Sequence, residues 1–276
     1  MLYQRILTAI PLAAFVFWII FYQPTTVFFA FVLFIVLIAG YEWSKLSGVQ
    51  NMAARFVYAA TITLLIWAVQ RYLSDFATWF VYAAGFWWLL TTGYLMKATP
   101  KPASDDLKAG RLLVAFVVLP AAAFAMQQVH AMYQGAEWLF YALSLVWVAD
   151  IGAYFSGKKF GKNKLAPNIS PGKTKEGLLG AVITTSLYTI AASFYFALDV
   201  ETAALLVLMS IVLTFISVTG DLYFSFLKRE AGLKDSGKIL PGHGGILDRV
   251  DSLLAALPVF LLAYNWLISS NPLLIR

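Results

Sequence analysis

Residues 234–252 read KDSGKILPGHGGILDRVDS, gathering Lys234, Lys238, His243, Arg249, Asp235, Asp248 and Asp251 in one short stretch of a chain that is mostly apolar. Asp248 and Asp251 are three positions apart, so a helix beginning near Leu247 carries both carboxylates on one face. Two neighbouring carboxylates repel, and a hard cation such as Mg2+ relieves that repulsion through oxygen ligands while leaving positions for phosphate oxygens. The same acids would equally complement a helix dipole at its N-terminus, with Arg249 an incidental neighbour.

The preceding PGHGG supplies Gly242, Gly244 and Gly245. Glycines there let backbone pass close to a ligand and turn N–H groups toward an anion, or simply make a loop turn. The run lacks the Gly-Lys-Ser/Thr ending of a Walker P-loop. His243 is placed to donate to a phosphate or to bond within the loop. Upstream, Lys228 and Arg229 follow Asp221 by about two helical turns, and cations beside a metal carboxylate complement a polyphosphate. A second polar stretch, GKKFGKNKLAPNISPGKTKEG, contains Ser170-Pro171, a pattern expected of an N-cap and first helical residue. A helix start there binds anions through free N–H groups, with Lys173 and Thr174 adding side-chain donors. Glu176 is open to capping, to pairing with Lys173 or to approaching a metal.

The elements that must hold these groups are membrane helices. The 276 residues are 61% hydrophobic and 12% charged, outside the balance of a soluble domain. Stretches of about 20 apolar residues, the length that crosses a bilayer, run approximately 6–22, 25–44, 55–72, 77–96, 112–133, 137–157, 177–198, 203–224 and 249–269. The expected fold is therefore an all-α, polytopic membrane protein of about nine transmembrane helices. With nine spans, all of the 20 Lys and Arg residues except Arg71 and Arg276 fall on the N-terminal side, which places the N-terminus in the cytoplasm. The first helix lacks a small-residue cleavage site and reads as a retained span. Asp150, Asp221, Asp248 and Asp251 all lie toward the cytoplasmic ends of spans, and an ionisable group at membrane depth is a functional candidate by default.

The net charge of +6 is a one-sided feature suited to anionic head groups or phosphorylated substrates. Without a soluble basic domain, nucleic acid is not an expected partner. The absence of cysteine excludes disulfides, thiolate metal sites and cysteine nucleophiles. By polarity the chain divides into N-terminal helices over 1–96, serving as scaffold, lipid-facing wall or homodimer interface, a polar cytoplasmic linker over 97–111, and a catalytic region over 112–276. The abundant Phe, Trp and Tyr are expected at lipid-facing and interfacial positions, and His130, near the non-cytoplasmic end of its span, in a structural role.

The stretch from Ser225 to Asp251 resembles the signature of phosphatidate cytidylyltransferases, also called CDP-diacylglycerol synthases. Ser225, Lys228-Arg229, Lys234-Asp235, Pro241, His243-Gly244-Gly245, Asp248-Arg249 and Asp251 stand at that family's spacing, and SPGKTKEG is similar to its second polar loop. The resemblance implies that CTP and phosphatidate give CDP-diacylglycerol and pyrophosphate, with Mg2+ required, on the pathway to anionic phospholipids. On this reading Asp221, Asp248 and Asp251 form the metal set, with room for a second cation. Asp221, Asp248, Lys228, Arg229 and His243 are the expected catalytic residues, Asp150 a lesser member of the group. Ser170, Lys173, Thr174, Lys234, Gly244, Gly245 and Arg249 are the expected substrate contacts. The site is expected at the cytoplasmic face of the inner (plasma) membrane, reached laterally by lipid and from water by CTP. Two competing readings are a CTP-dependent polyprenol kinase, which transfers the terminal phosphoryl group, and an ion-coupled transporter. The latter fits poorly, because its site belongs near the midplane between internal repeats and the chain shows no repeat.

Overall fold

In hydrocarbon every backbone N–H and C=O must be satisfied within the segment, so apolar runs of this length fold as helices. The computed structural model describes residues 2–101, 106–239, 242 and 244–270. Among them are nine helices: α1 (Leu2–Tyr22), α2 (Thr25–Leu46), α3 (Met52–Tyr72), α4 (Ala77–Leu95), α5 (Ala109–Ala131), α6 (Gly135–Phe160), α7 (Lys175–Tyr195), α8 (Val200–Glu230) and α9 (Leu247–Ser270). Seven of them, α2, α3 and α5 to α9, are long and apolar enough to cross a membrane. The Thr, Tyr, Trp and Gly content of α4 lowers its hydropathy, and the described side chains of α1 form an apolar stretch over Ile10–Tyr22. The chain is an all-α, multi-pass membrane protein.

Two helices outrun their apolar cores. α6 continues past 157 to Phe160 and α8 past 224 to Glu230, each with two basic residues in its last turn, where cations complement the C-terminal dipole. α8 then ends in a Schellman turn: Leu233 N–H donates to Lys228 O at 2.8 Å and Gly232 N–H to Arg229 O at 3.1 Å. Gly232 takes a φ of 66°, a conformation that costs glycine little.

Between α6 and α7 the structure differs from the expected helix start at Ser170-Pro171. These residues belong to β2 (Ser170–Thr174), which pairs antiparallel with β1 (Lys164–Ala166), Ala166 opposite Ser170 and Lys164 opposite Thr174. The N-cap of α7 is Thr174, whose hydroxyl accepts from Gly177 N–H at 3.1 Å. The hairpin wins because Glu176 holds its base: its carboxylate accepts from Asn163 Nδ2 at 2.7 Å and from the backbone N–H groups of Lys162 and Asn163 at 3.1–3.2 Å.

α9 is the central helix, packed against α8, α5, α4 and α6. Its neighbour α8 approaches so closely that a Cβ on Gly220 would stand 2.6 Å from Asp251 O. α6 and α7 pack just as tightly: a Cβ on Gly180 would collide with the Ser156 side chain and lie 2.9 Å from Gly152 O. Small residues of this kind let membrane helices gain van der Waals contact where no hydrophobic force joins them.

Not all the aromatic residues face lipid. Trp43, Trp88 and Trp138 are among the most buried side chains, a correction to the peripheral role expected for them. Each of the first two finds a carbonyl for its indole N–H: Trp88 donates to Leu254 O at 3.1 Å and Trp43 to Arg111 O at 3.0 Å. Trp67, Trp79 and Phe86 remain on the outer surface. His130, as expected, is structural: it stacks on Phe28 at 4.3 Å and hydrogen-bonds Thr25 Oγ1 and Ile20 O, both at 2.9 Å.

The α6–α7 packing is testable. Gly180→Val should lower thermal stability of the detergent-solubilised protein by about 1–3 kcal/mol through overpacking. Gly93→Ala, with nothing within 4 Å of the added methyl, should leave the unfolding temperature unchanged or slightly raised. Thermal unfolding of the two purified variants beside wild type compares them directly.

Candidate active site

The polar groups converge where α8, α9, the end of α6 and the β-hairpin meet. Asp221, on α8, accepts from Lys173 Nζ of β2 at 2.6 Å and from Ser225 Oγ one turn on at 3.2 Å. Asp248, in the first turn of α9, accepts from Lys228 Nζ of α8 at 2.7 Å. Asp150 on α6 and Asp251 on α9 both lie within electrostatic reach of Asp221 and of Lys173, while Lys228 acts on Asp221 and Asp251, and Arg249 on Asp150. Four acids and three bases thus gather in one place. Asp221 and Asp248 tolerate burial because each is paired with a lysine, and the cluster presents both signs of charge to a ligand.

A cavity of about 350 Å³ opens beside this cluster. Asp150 and Lys173 lie on its wall together with Ala153, Tyr154 and Lys158 of α6, Gly172 and Thr174 of the hairpin, and Leu178 of α7. Its wall thus combines three charged side chains, Asp150, Lys158 and Lys173, with a largely apolar remainder, a lining suited to an amphiphile with a charged head.

The expected site residues divide. Asp221, Asp248, Asp251, Lys173, Lys228 and Arg249 come together. Arg229 stands apart on the exposed side of α8, its Nε donating to Ile169 O at 3.4 Å and tying the helix to the hairpin. Lys234 is exposed in the turn after α8, and no described hydrogen bond or ion pair involves it. Ser170 is committed to the hairpin, and the Thr174 hydroxyl oxygen to capping α7. His243 lies outside the described residues, as does Pro241.

The glycines do a different job from the one expected. Gly244 adopts a φ of 84°, which a residue with a side chain adopts only under strain. Gly245 N–H is indeed aimed at an anion, but the anion is the protein's own: it donates to Asp248 Oδ2 at 3.0 Å, alongside Ser236 N–H at 2.8 Å and Ser236 Oγ at 3.0 Å.

Asp248 therefore takes four donors, including Lys228, and the three expected metal ligands do not stand as one ligand group. Among the described residues no three His, Cys, Asp or Glu side chains do. Asp251 retains an open oxygen position: no described hydrogen bond occupies its second oxygen, while its Oδ1 accepts from Ser252 N–H at 2.7 Å. Both Asp221 oxygens are engaged, Oδ1 by Ser225 and Oδ2 by Lys173, and the second is freed for a cation when Lys173 turns to a phosphate. Two carboxylates with phosphate oxygens and water completing the shell is the ordinary arrangement for Mg2+, so the donor set fits that ion.

One contributor comes from outside the expected region. Glu42, on α2, is buried against Ser236, Ile246 and Leu247, the last of these the first residue of α9. The sequence offered one sign of it, an acid inside an apolar span, but not where the span would place it.

Fold and site together define a membrane-embedded enzyme that handles phosphorylated substrates at one end of its helix bundle. The chain matches the model of the cytidylyltransferase family over residues 3–267 and belongs to that family. It is 36% identical over 260 residues to a Pseudomonas aeruginosa protein named phosphatidate cytidylyltransferase, covering 94% of this chain and 96% of the relative. A Haemophilus influenzae protein of the same name is 36% identical over 282 residues, covering 94% and 97%. One from Staphylococcus haemolyticus is 46% identical over 125 residues, 45% of this chain and 48% of the relative.

The division of labour between acids predicts unequal consequences. Asp248→Asn weakens four contacts at once and leaves Lys228 without its counter-charge, so it should cost about 2–4 kcal/mol of stability as well as activity. Asp251→Asn should leave the unfolding temperature near wild type while lowering turnover on the order of 100-fold or more. Thermal unfolding and turnover measured on the same preparations separate the two.

Proposed function

We propose that this protein is a phosphatidate cytidylyltransferase, which transfers CMP from CTP to phosphatidate and releases pyrophosphate. The observation that carries this reading is the neighbouring Lys173–Asp221 and Lys228–Asp248 pairs, with Lys173 also on the wall of a partly apolar cavity, in a chain matched by the family model almost end to end.

A phosphatidate oxygen attacks the α-phosphorus of CTP, the bond from that phosphorus to the β-bridging oxygen breaks, and pyrophosphate leaves with the electron pair. The nucleophile is already anionic and needs no general base. What opposes the reaction is the approach of two polyanions and the charge gathering on the leaving group. Lys173 and Lys228 answer the first difficulty: on substrate binding their ammonium groups exchange a carboxylate for phosphate oxygens and hold the two anions together. Asp221 and Asp251 would hold Mg2+, with Asp248 keeping Lys228 aimed; bound there, the ion would supply Lewis-acid neutralisation of the triphosphate. The apolar part of the cavity, with Tyr154 and Leu178 on its wall, suits the glycerol and proximal acyl region of the lipid, while the chains stay in the bilayer.

The distribution of basic residues supports a cytoplasmic orientation for this end of the bundle. The bacterial relatives support the inner membrane as its location, with the site at the cytoplasmic face.

Product analysis tests the assignment. With phosphatidate and CTP labelled at the α-phosphorus, the label should enter the lipid fraction while pyrophosphate appears in equal amount. Release of CDP with phosphorylated lipid would instead identify a kinase. Chelation by EDTA should abolish turnover and added Mg2+ restore it. Lys228→Gln should lower kcat/KM on the order of 100-fold.

A further inference from the structure

We propose that Glu42 is a positioning residue for the reaction: its carboxylate holds the start of α9 and the loop before it, and thereby sets where Asp248 and Asp251 stand. The inference rests on the cytidylyltransferase reading and assigns a task within it to a helix that carries none of the signature.

Glu42 is 2% exposed. Its Oε2 accepts from Leu247 N–H at 2.8 Å and from Ser236 Oγ at 2.8 Å, and its Oε1 from Ile246 N–H at 3.2 Å. These are among the orphan donors that any helix start leaves unsatisfied, at the positive end of the dipole. A carboxylate from α2, about 200 residues away in sequence, therefore serves as the cap that α9 does not supply for itself. The surroundings are shaped to admit it: a Cβ on Gly237 or Gly245 would collide with its carboxylate oxygens.

The loop that Glu42 grips is the loop that orients Asp248. Ser236 Oγ stands 2.8 Å from Glu42 Oε2 and 3.0 Å from Asp248 Oδ2, so one hydroxyl joins the two carboxylates. Asp248 sits in the first turn of α9 and Asp251 one turn further. Their bases come from other elements, Lys228 from α8 and Lys173 from β2. A displacement of α9's first turn shifts the acids relative to the bases, and a misplacement of about 1 Å is enough to cost on the order of 100-fold in rate. Glu42 also takes two of the helix-start N–H groups, those of Ile246 and Leu247.

The experiment uses the full-length chain in mixed micelles with phosphatidate and CTP, comparing wild type, Glu42→Gln, Ser236→Ala and the double variant. The glutamine keeps the volume but replaces one accepting oxygen by an NH2 group that faces donors. Expected for Glu42→Gln is a monodisperse protein with kcat lowered on the order of 100-fold and KM for CTP within about threefold of wild type, because the groups that bind are intact and their alignment is not. Ser236→Ala, which leaves the backbone bonds to Glu42, should lose about tenfold in kcat, and the double variant should be no more than about twofold below Glu42→Gln, since both act through one loop. Wild-type kcat in Glu42→Gln overturns the proposal. So does a loss explained by fewer folded molecules with normal turnover in each. If Glu42→Gln does not fold, Ser236→Ala decides, and wild-type kcat there overturns it. A wild-type protein that makes no CDP-diacylglycerol would sink the cytidylyltransferase reading itself, a result distinguishable from both.

Discussion

A carboxylate taken into a helix bundle must be met by donors or cations, and meeting that demand four times within one end of the bundle organises this protein. Asp221 and Asp248 are met by lysines from β2 and α8, Glu230 by Arg111 and Lys101 N–H, and Glu42 by the loop before α9. Each solution joins segments far apart in sequence. The acids therefore do for the polar end of the bundle what aromatic and small-residue packing does in its middle. The cost of burying each charge is offset only when the partner is correctly placed, so the polar end has one good arrangement where an apolar one would have several.

That arrangement is also what the reaction needs. Joining two polyanions calls for cations that are fixed in space yet free to change partners, and a lysine held by an aspartate is both. Lys173 rides on a short hairpin whose base is held by Glu176 and whose side is tied to α8 through Arg229. Lys228 stands in the last turn of α8, beyond the apolar core and ahead of the Schellman turn. Neither position would exist had α8 stopped at the edge of its hydrophobic run or had α7 begun at Ser170. The two departures from a simple reading of the helices are thus the two features that place the bases.

How much was legible in the sequence follows from the range over which each signal acts. The all-α, multi-pass class was legible because hydrophobicity and backbone satisfaction act over a single span. The convergence of Asp221, Asp248 and Asp251 on one region was legible from their shared depth, but the use of Asp248's oxygens was not, since its partners Ser236 and Gly245 are fixed by loop geometry. The hairpin was missed because Ser170-Pro171 is locally a good helix start, and only Glu176 folding back onto Asn163 makes Thr174 a better one. The buried roles of Trp43 and Trp88 depend on carbonyls of α5 and α9, and no pattern within α2 or α4 points to either.

Glu42 shows why such residues escape a reading of motifs. The signature from Ser225 to Asp251 is dense in chemistry-bearing residues, yet two of the glycines within it make sense only when Glu42 is added: Gly237 and Gly245 leave the space its carboxylate fills. A glycine explained by nothing nearby in sequence is then evidence of something nearby in space, and a lone acid in an apolar helix is evidence of donors waiting to receive it. Each half is ambiguous by itself, because a glycine also makes turns and an acid also sits at interfaces. Together they fix a contact between the first sixth of the chain and the last sixth, and it is this contact that makes the N-terminal helices part of the catalytic apparatus instead of a wall around it.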